Sequence, residues 1–93
     1  MLEIIAMEYT LSPQVNLKHD KASGNYYLFC LETGERFNLN STSYEILKLL
    51  QDGKKKDEIV KTLVENYDID TKICSEHINE LFNFMLARDL ITT

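Results

Sequence analysis

Along these 93 residues the apolar period changes once, at Asn40. Upstream of that residue apolar side chains alternate in the strand manner; downstream every apolar run follows the helical spacing of three and four. The switch predicts an α+β chain in which a three-stranded antiparallel sheet is followed by three helices, a βββααα order of winged-helix-turn-helix-like type. It also leaves the stretch next to the switch, Glu35 to Leu39, as a sheet edge beside a helix. Such an edge has unpaired backbone groups and can accept an added strand.

Val15, Leu17 and His19 alternate with Asn16 and Lys18, which predicts a first strand with one polar face. Asp20 to Asn25, closing on Ser23-Gly24-Asn25, reads as a loop. The run Tyr26 to Leu31 is apolar on both alternating faces and rich in aromatic residues, as a central strand with two neighbours should be. Thr33-Gly34 supplies a tight turn into the third strand, Glu35 to Leu39, with Phe37 and Leu39 on one face. The expected order in space is one, two, three.

Asn40 to Ser43 is a cluster of helix-capping residues, and Thr42 with Glu45 fits a capping box. The first helix is expected to run to about Gln51, where Asp52-Gly53 ends it through a left-handed glycine. Ile59, Val60, Leu63, Val64 and Tyr67 form one stripe of a second helix. Asp70 or Thr71 then caps a longer third helix that reaches Arg88. Its apolar arc centres on Cys74, Ile78, Leu81 and Met85, with Phe82 and Leu86 on one flank and Ile73 and Phe84 on the other. At about 100° per residue this arc covers more than half the circumference, more than one packing interface usually needs. One flank is expected to pack on the other helices, and the other, with His77 between Ile73 and Phe84, to face the sheet edge or solvent.

Composition narrows the function. One domain spanning 1–93 can hold a core but not a chamber between domains. A net charge of −5 and a pI near 4.9 oppose nucleic-acid binding, which draws on neutralised phosphates. The one basic cluster, Lys54-Lys55-Lys56, runs directly into Asp57 and Glu58 and reads as a solvated helix start. The third helix carries Lys72 and Arg88 against Glu76, Glu80 and Asp89, without the cluster that reads base edges in a winged-helix DNA module. Met1 to Met7 has no basic start and is too short for a signal peptide or a membrane span. With two distant cysteines, Cys30 and Cys74, the expected location is the cytoplasm and no membrane partner is expected.

Cys74 and His77 share a helical face, but a zinc site would need a second closely spaced ligand pair, and only Cys30 and His19 remain to complete it. The serines sit in loops and caps, and there is no glycine-rich phosphate loop. No cofactor, no metal and no catalytic activity are therefore expected. The apolar excess on the third helix leaves two readings: a thicker core or dimer contact, or a groove for a peptide.

The ordered set Leu11-Ser-Pro-Gln-Val15, the Tyr/Leu-rich strand, Thr33-Gly-Glu-Arg-Phe-Asn-Leu-Asn-Ser-Thr42, Ile46-Leu-Lys-Leu-Leu50 with Asp52-Gly53, and Ala87-Arg-Asp-Leu-Ile91 resembles the PqqD-like family. Members are recognition elements for ribosomally made, post-translationally modified peptides (RiPPs). The pattern is most similar to the stand-alone leader-binding proteins of lasso-peptide assembly, and next to the pyrroloquinoline-quinone peptide chaperone that serves a radical enzyme. Ser41 stands where proline is common, and Arg36-Phe37 where two aromatic residues are usual. The resemblance implies that a precursor's leader adds as a strand to the third strand and rests on the third helix. Peptide-binding residues on that reading are Glu35, Arg36, Phe37, Asn38, Leu39, Cys74, His77, Leu81 and Phe84. The implied partners are the leader, with tyrosine, proline and leucine anchors, and a leader peptidase, cyclase or other modifying enzyme. A homodimer through the free sheet edge is the competing arrangement.

Overall fold

The alternating half of the chain forms an antiparallel sheet of three strands, β2 (Val15–Asp20), β3 (Asn25–Cys30) and β4 (Arg36–Leu39), in that spatial order. These belong to a computed structural model that describes residues 9–92. The stretch Met1 to Met7, read above as too short for a signal peptide or membrane span, lies outside the described residues. Three helices follow: α1 (Ser41–Gln51), α2 (Lys56–Tyr67) and α3 (Thr71–Ala87). Two further strands, β1 (Thr10–Leu11) and β5 (Ile91–Thr92), pair antiparallel as a small second sheet that the apolar pattern did not announce. Among the described residues no helix is long and apolar enough to cross a membrane.

Register sorts the side chains of the main sheet. Val15 faces Cys30, Leu17 faces Leu28 and His19 faces Tyr26 across β2 and β3, while Leu28 faces Phe37 and Tyr26 faces Leu39 across β3 and β4. These residues share one face, and Val15, Leu28 and Cys30 on it are buried. The other face carries Tyr27 and Phe29, half-buried, beside the exposed Lys18, Arg36 and Asn38. Leu31, expected inside the central strand, falls just past its end and is 59% exposed.

The helices close over the inner face. Ile46, Leu47 and Leu50 of α1, Ile59, Val60 and Leu63 of α2, and Cys74, Ile78, Phe82 and Met85 of α3 form one cluster with the sheet. The α1 cap differs from the Thr42 capping box. Asn40 is the N-cap, and its Oδ1 accepts from the Ser43 N–H at 2.7 Å. Asparagine already supplies the acceptor one turn ahead, so the helix begins at Ser41. At the other end Gly53 takes φ +94, the left-handed conformation that suits glycine. For α2 the Glu58 carboxylate accepts from the Lys55 N–H at 2.9 Å, and the acidic pair Asp57 and Glu58 lies at the positive helix end. Asp70 caps α3 through bonds to the N–H groups of Lys72 and Ile73.

Tyr67, assigned to the buried stripe of α2, is 54% exposed, and its hydroxyl donates to Glu45 Oε1 of α1. A phenol with a carboxylate partner gains more from that bond than from an apolar site. The Glu45 carboxylate correspondingly pushes the phenol's pKa upward.

Candidate functional site

The free edge of β4 and the exposed flank of α3 meet at one pair of rings. Phe37 of β4 and Phe84 of α3 stand edge to face with centroids 6.0 Å apart. Phe84 is 41% exposed although it belongs to a helix whose core stripe is closed. His77 and Leu81 lie on the same side as Phe84 at helical spacing, and Ile73, 51% exposed, continues the flank toward the start of α3.

The ladder fixes which backbone groups of β4 are available. Cys30 donates its N–H to the Glu35 carbonyl at 2.9 Å, which marks that pair as hydrogen-bonded. Alternation along an antiparallel ladder then turns the N–H and C=O of Phe37 and Leu39 toward β3. Arg36 and Asn38 turn theirs to the open edge. Among the described residues no strand pairs with that edge.

The sequence-assigned residues divide into two sets. Glu35, Arg36, Phe37, Asn38 and Leu39 run along the edge, the first just ahead of β4; of the α3 set Phe84 meets Phe37, and His77 and Leu81 share its side of the helix. Cys74 is different: it is 2% exposed and packs in the core, so it is not at a groove rim. Burial pushes its thiol pKa up, as expected for a packed side chain. The centre of the apolar arc also moves. Phe82, placed on a flank, is buried in the core stripe, whereas Leu81, placed at the centre, is only partly buried. Phe82 packs against the Tyr9 ring just ahead of β1, with ring centroids 4.7 Å apart.

One further residue beside the Phe84 ring was not picked out. Arg88, one turn past Phe84, lays its guanidinium 3.8 Å from the centre of that ring. Its i, i+4 spacing was the signal available.

Two concavities lie away from this surface. One of about 680 Å³ runs between α2 and α3 over Val60 and Val64. Another of about 350 Å³ is bordered by His19, Tyr26, Tyr44 and Tyr67. Among the described residues no group of three or more histidine, cysteine and acidic side chains gathers as metal ligands do, and Cys74 and His77 point to core and solvent respectively.

Comparison with known proteins agrees with this architecture. The profile of the family described as coenzyme PQQ synthesis protein D (PqqD) matches residues 25–91, so the chain belongs to the PqqD family. No curated protein matches it. Among solved structures, the lasso peptide synthetase B1 complexed with the leader peptide shares 21% identity, with a TM-score of 0.81 over 94% of this chain and 100% of that one. TbiB1 in complex with the TbiA(beta) leader peptide shares 24% identity, with a TM-score of 0.78 over 88% and 93%. The PqqD truncation of Methylobacterium extorquens PqqCD, a stand-alone RiPP recognition element, shares 23% identity, with a TM-score of 0.78 over 91% and 88%. These likenesses show a common fold.

Proposed function

We propose that this chain binds the leader of a ribosomally made precursor peptide as an added strand on β4 and presents it to modifying enzymes in the cytoplasm. The observation that carries the reading is the free β4 edge with Phe37 touching Phe84 across to α3. Backbone bonds at Arg36 and Asn38 supply affinity for any extended chain, and the surface of Phe37, Leu39, His77, Leu81 and Phe84 selects its side chains. Two structural relatives are B1 proteins bound to leader peptides, which supports service to a leader peptidase and a cyclase of lasso type. The family profile favours a second reading, a peptide chaperone for a radical modifying enzyme. We read the strand-then-helix layout as winged-helix-turn-helix-like but not as a DNA reader. The exposed side of α3 carries Glu76 and Glu80, which repel phosphate.

The chain itself has no catalytic step in this scheme. Binding remote from the reacting bond should mainly lower the apparent KM of the partner enzyme for full precursor. The test is a peptidase or modification assay with and without this chain, on full-length and leaderless forms of a precursor peptide that the chain binds. Stimulation of the full-length form alone is expected. Equal stimulation of both forms, or conversion by this chain alone, would overturn the reading. A second copy seated on the β4 edge would instead appear as a dimer that leader does not dissociate.

A further inference from the structure

Both arginines of this acidic chain, Arg36 and Arg88, stand near the β4 edge, one on the outer face of the sheet and one on the helix side. Arg36 lies on the outer face of the sheet with its guanidinium 3.8 Å from the centre of the Tyr27 ring. Arg88 lies on the helix side, 3.8 Å from the Phe84 ring, and its Nη1 donates to the Phe84 carbonyl at 3.4 Å. Among the described residues neither guanidinium forms an ion pair. Asp20 feels Arg36 only as the weakest of several influences, its carboxyl being held below the usual range chiefly by the Ser23 side chain and the Ala22 N–H.

Stacking occupies the face of a guanidinium and leaves its edge N–H donors available. It also fixes the plane of those donors, so that a carboxylate can be met without further ordering. A net charge of −5 gives the protein many acids that could have quenched these cations, yet among the described residues neither is paired with one, and both stand beside the open edge of β4. A strand laid against β4 sends alternate side chains to the two faces. One set lies beside Arg36 and Asn38; the other lies over Phe37 and Phe84, with Arg88 at its end.

We infer that the peptide taken by β4 is acidic as well as apolar: it carries an Asp or Glu in the outward set beside Arg36, and another next to the apolar residue that covers Phe84, within reach of Arg88. The inference rests on the reading of β4 as the peptide site. It adds a charge rule to that site: apolar side chains inward, carboxylates at the two arginines. Cross-strand pairing of opposite charges favours this arrangement, and like charges there are disfavoured.

The test pans a displayed library of random dodecapeptides against the full chain and against Arg36→Gln, Arg88→Gln, Arg88→Lys and Phe84→Ala, each first checked for native circular dichroism. The native chain should enrich peptides with apolar residues at alternate positions and Asp or Glu between or beside them. Arg36→Gln and Arg88→Gln should lose the acidic enrichment and keep the apolar one. Peptides selected by the native chain should bind Arg88→Gln roughly three- to tenfold more weakly, with Arg88→Lys in between. Apolar selection without acids in the native pool would overturn the charge rule and leave the peptide site standing. Identical pools from the native chain and Phe84→Ala, or no enrichment at all, would overturn the site and the rule together.

Discussion

Phe82 and Phe84 sit two positions apart on α3 and have opposite duties. Phe82 is 1% exposed, so Phe82→Ala should cost about 3–5 kcal/mol of stability in a urea melt. Phe84→Ala removes a ring that is already half in water, and its stability loss should stay well under that. Its loss of leader affinity, measured by titration calorimetry, should reach about 2 kcal/mol or more if the ring is a desolvated anchor in the complex. Native affinity in both Phe84→Ala and Leu81→Ala would remove this flank from the site. The Phe82 and Leu86 flank cannot replace it, because Phe82 is enclosed. Both cysteines are buried, Cys30 at 9% exposure and Cys74 at 2%, but their thiols differ. The Thr33 hydroxyl and then its N–H pull the Cys30 thiol below its ordinary pKa, whereas burial pushes that of Cys74 up. In the native protein at mildly alkaline pH a thiol reagent should label Cys30 first, and Cys74 only on unfolding.

At the scale of the element, β4 is the part on which the reading turns, and its ladder makes a directional prediction. Arg36→Pro and Asn38→Pro each remove an N–H aimed at the open edge, and should weaken leader binding strongly while the sheet persists. Phe37→Pro removes an N–H bonded toward β3 and should destabilise the fold itself. Leader affinities equal to native in folded Arg36→Pro and Asn38→Pro would exclude strand addition here. The helix that follows depends on a single cap: Asn40→Ala should cost about 1 kcal/mol, read as a lower midpoint in denaturant.

Across the whole molecule, the small sheet of β1 and β5 ties the ends of the described chain together and seats α3. Ser12 donates to the Leu90 carbonyl at 2.9 Å, and the hydroxyls of Thr10 and Thr92 meet at 3.1 Å. Leu90 and Ile91 are drawn into the core as a result. Ile91→Ala should therefore cost about 2–5 kcal/mol, as much as a change in the middle of α3. Because β1 also brings Tyr9 onto Phe82, the same variant should loosen the rotation of α3 and weaken leader binding along with stability.

Elements that have a period or a punctuation mark were legible in the amino-acid order. Strand alternation located β2, β3 and β4, Gly53 and Asp70 bounded helices, and the overlong apolar arc of α3 announced a surplus face. These signals are local, arising from side-chain periodicity and from the few residues that suit a cap or a left-handed turn. Strands of two residues such as β1 and β5 have no period to detect, so only their pairing across the fold defines them. The rotation of α3 was equally beyond reach. Residues spread over more than half a helix all qualify as core by hydropathy, and the choice of Phe82 over Leu81 was made by what packs against them. The same holds for the backbone of β4: alternation predicts the side-chain faces, but which N–H groups are left unpaired depends on the register with β3, which the folded turn and the packing of the buried face set together.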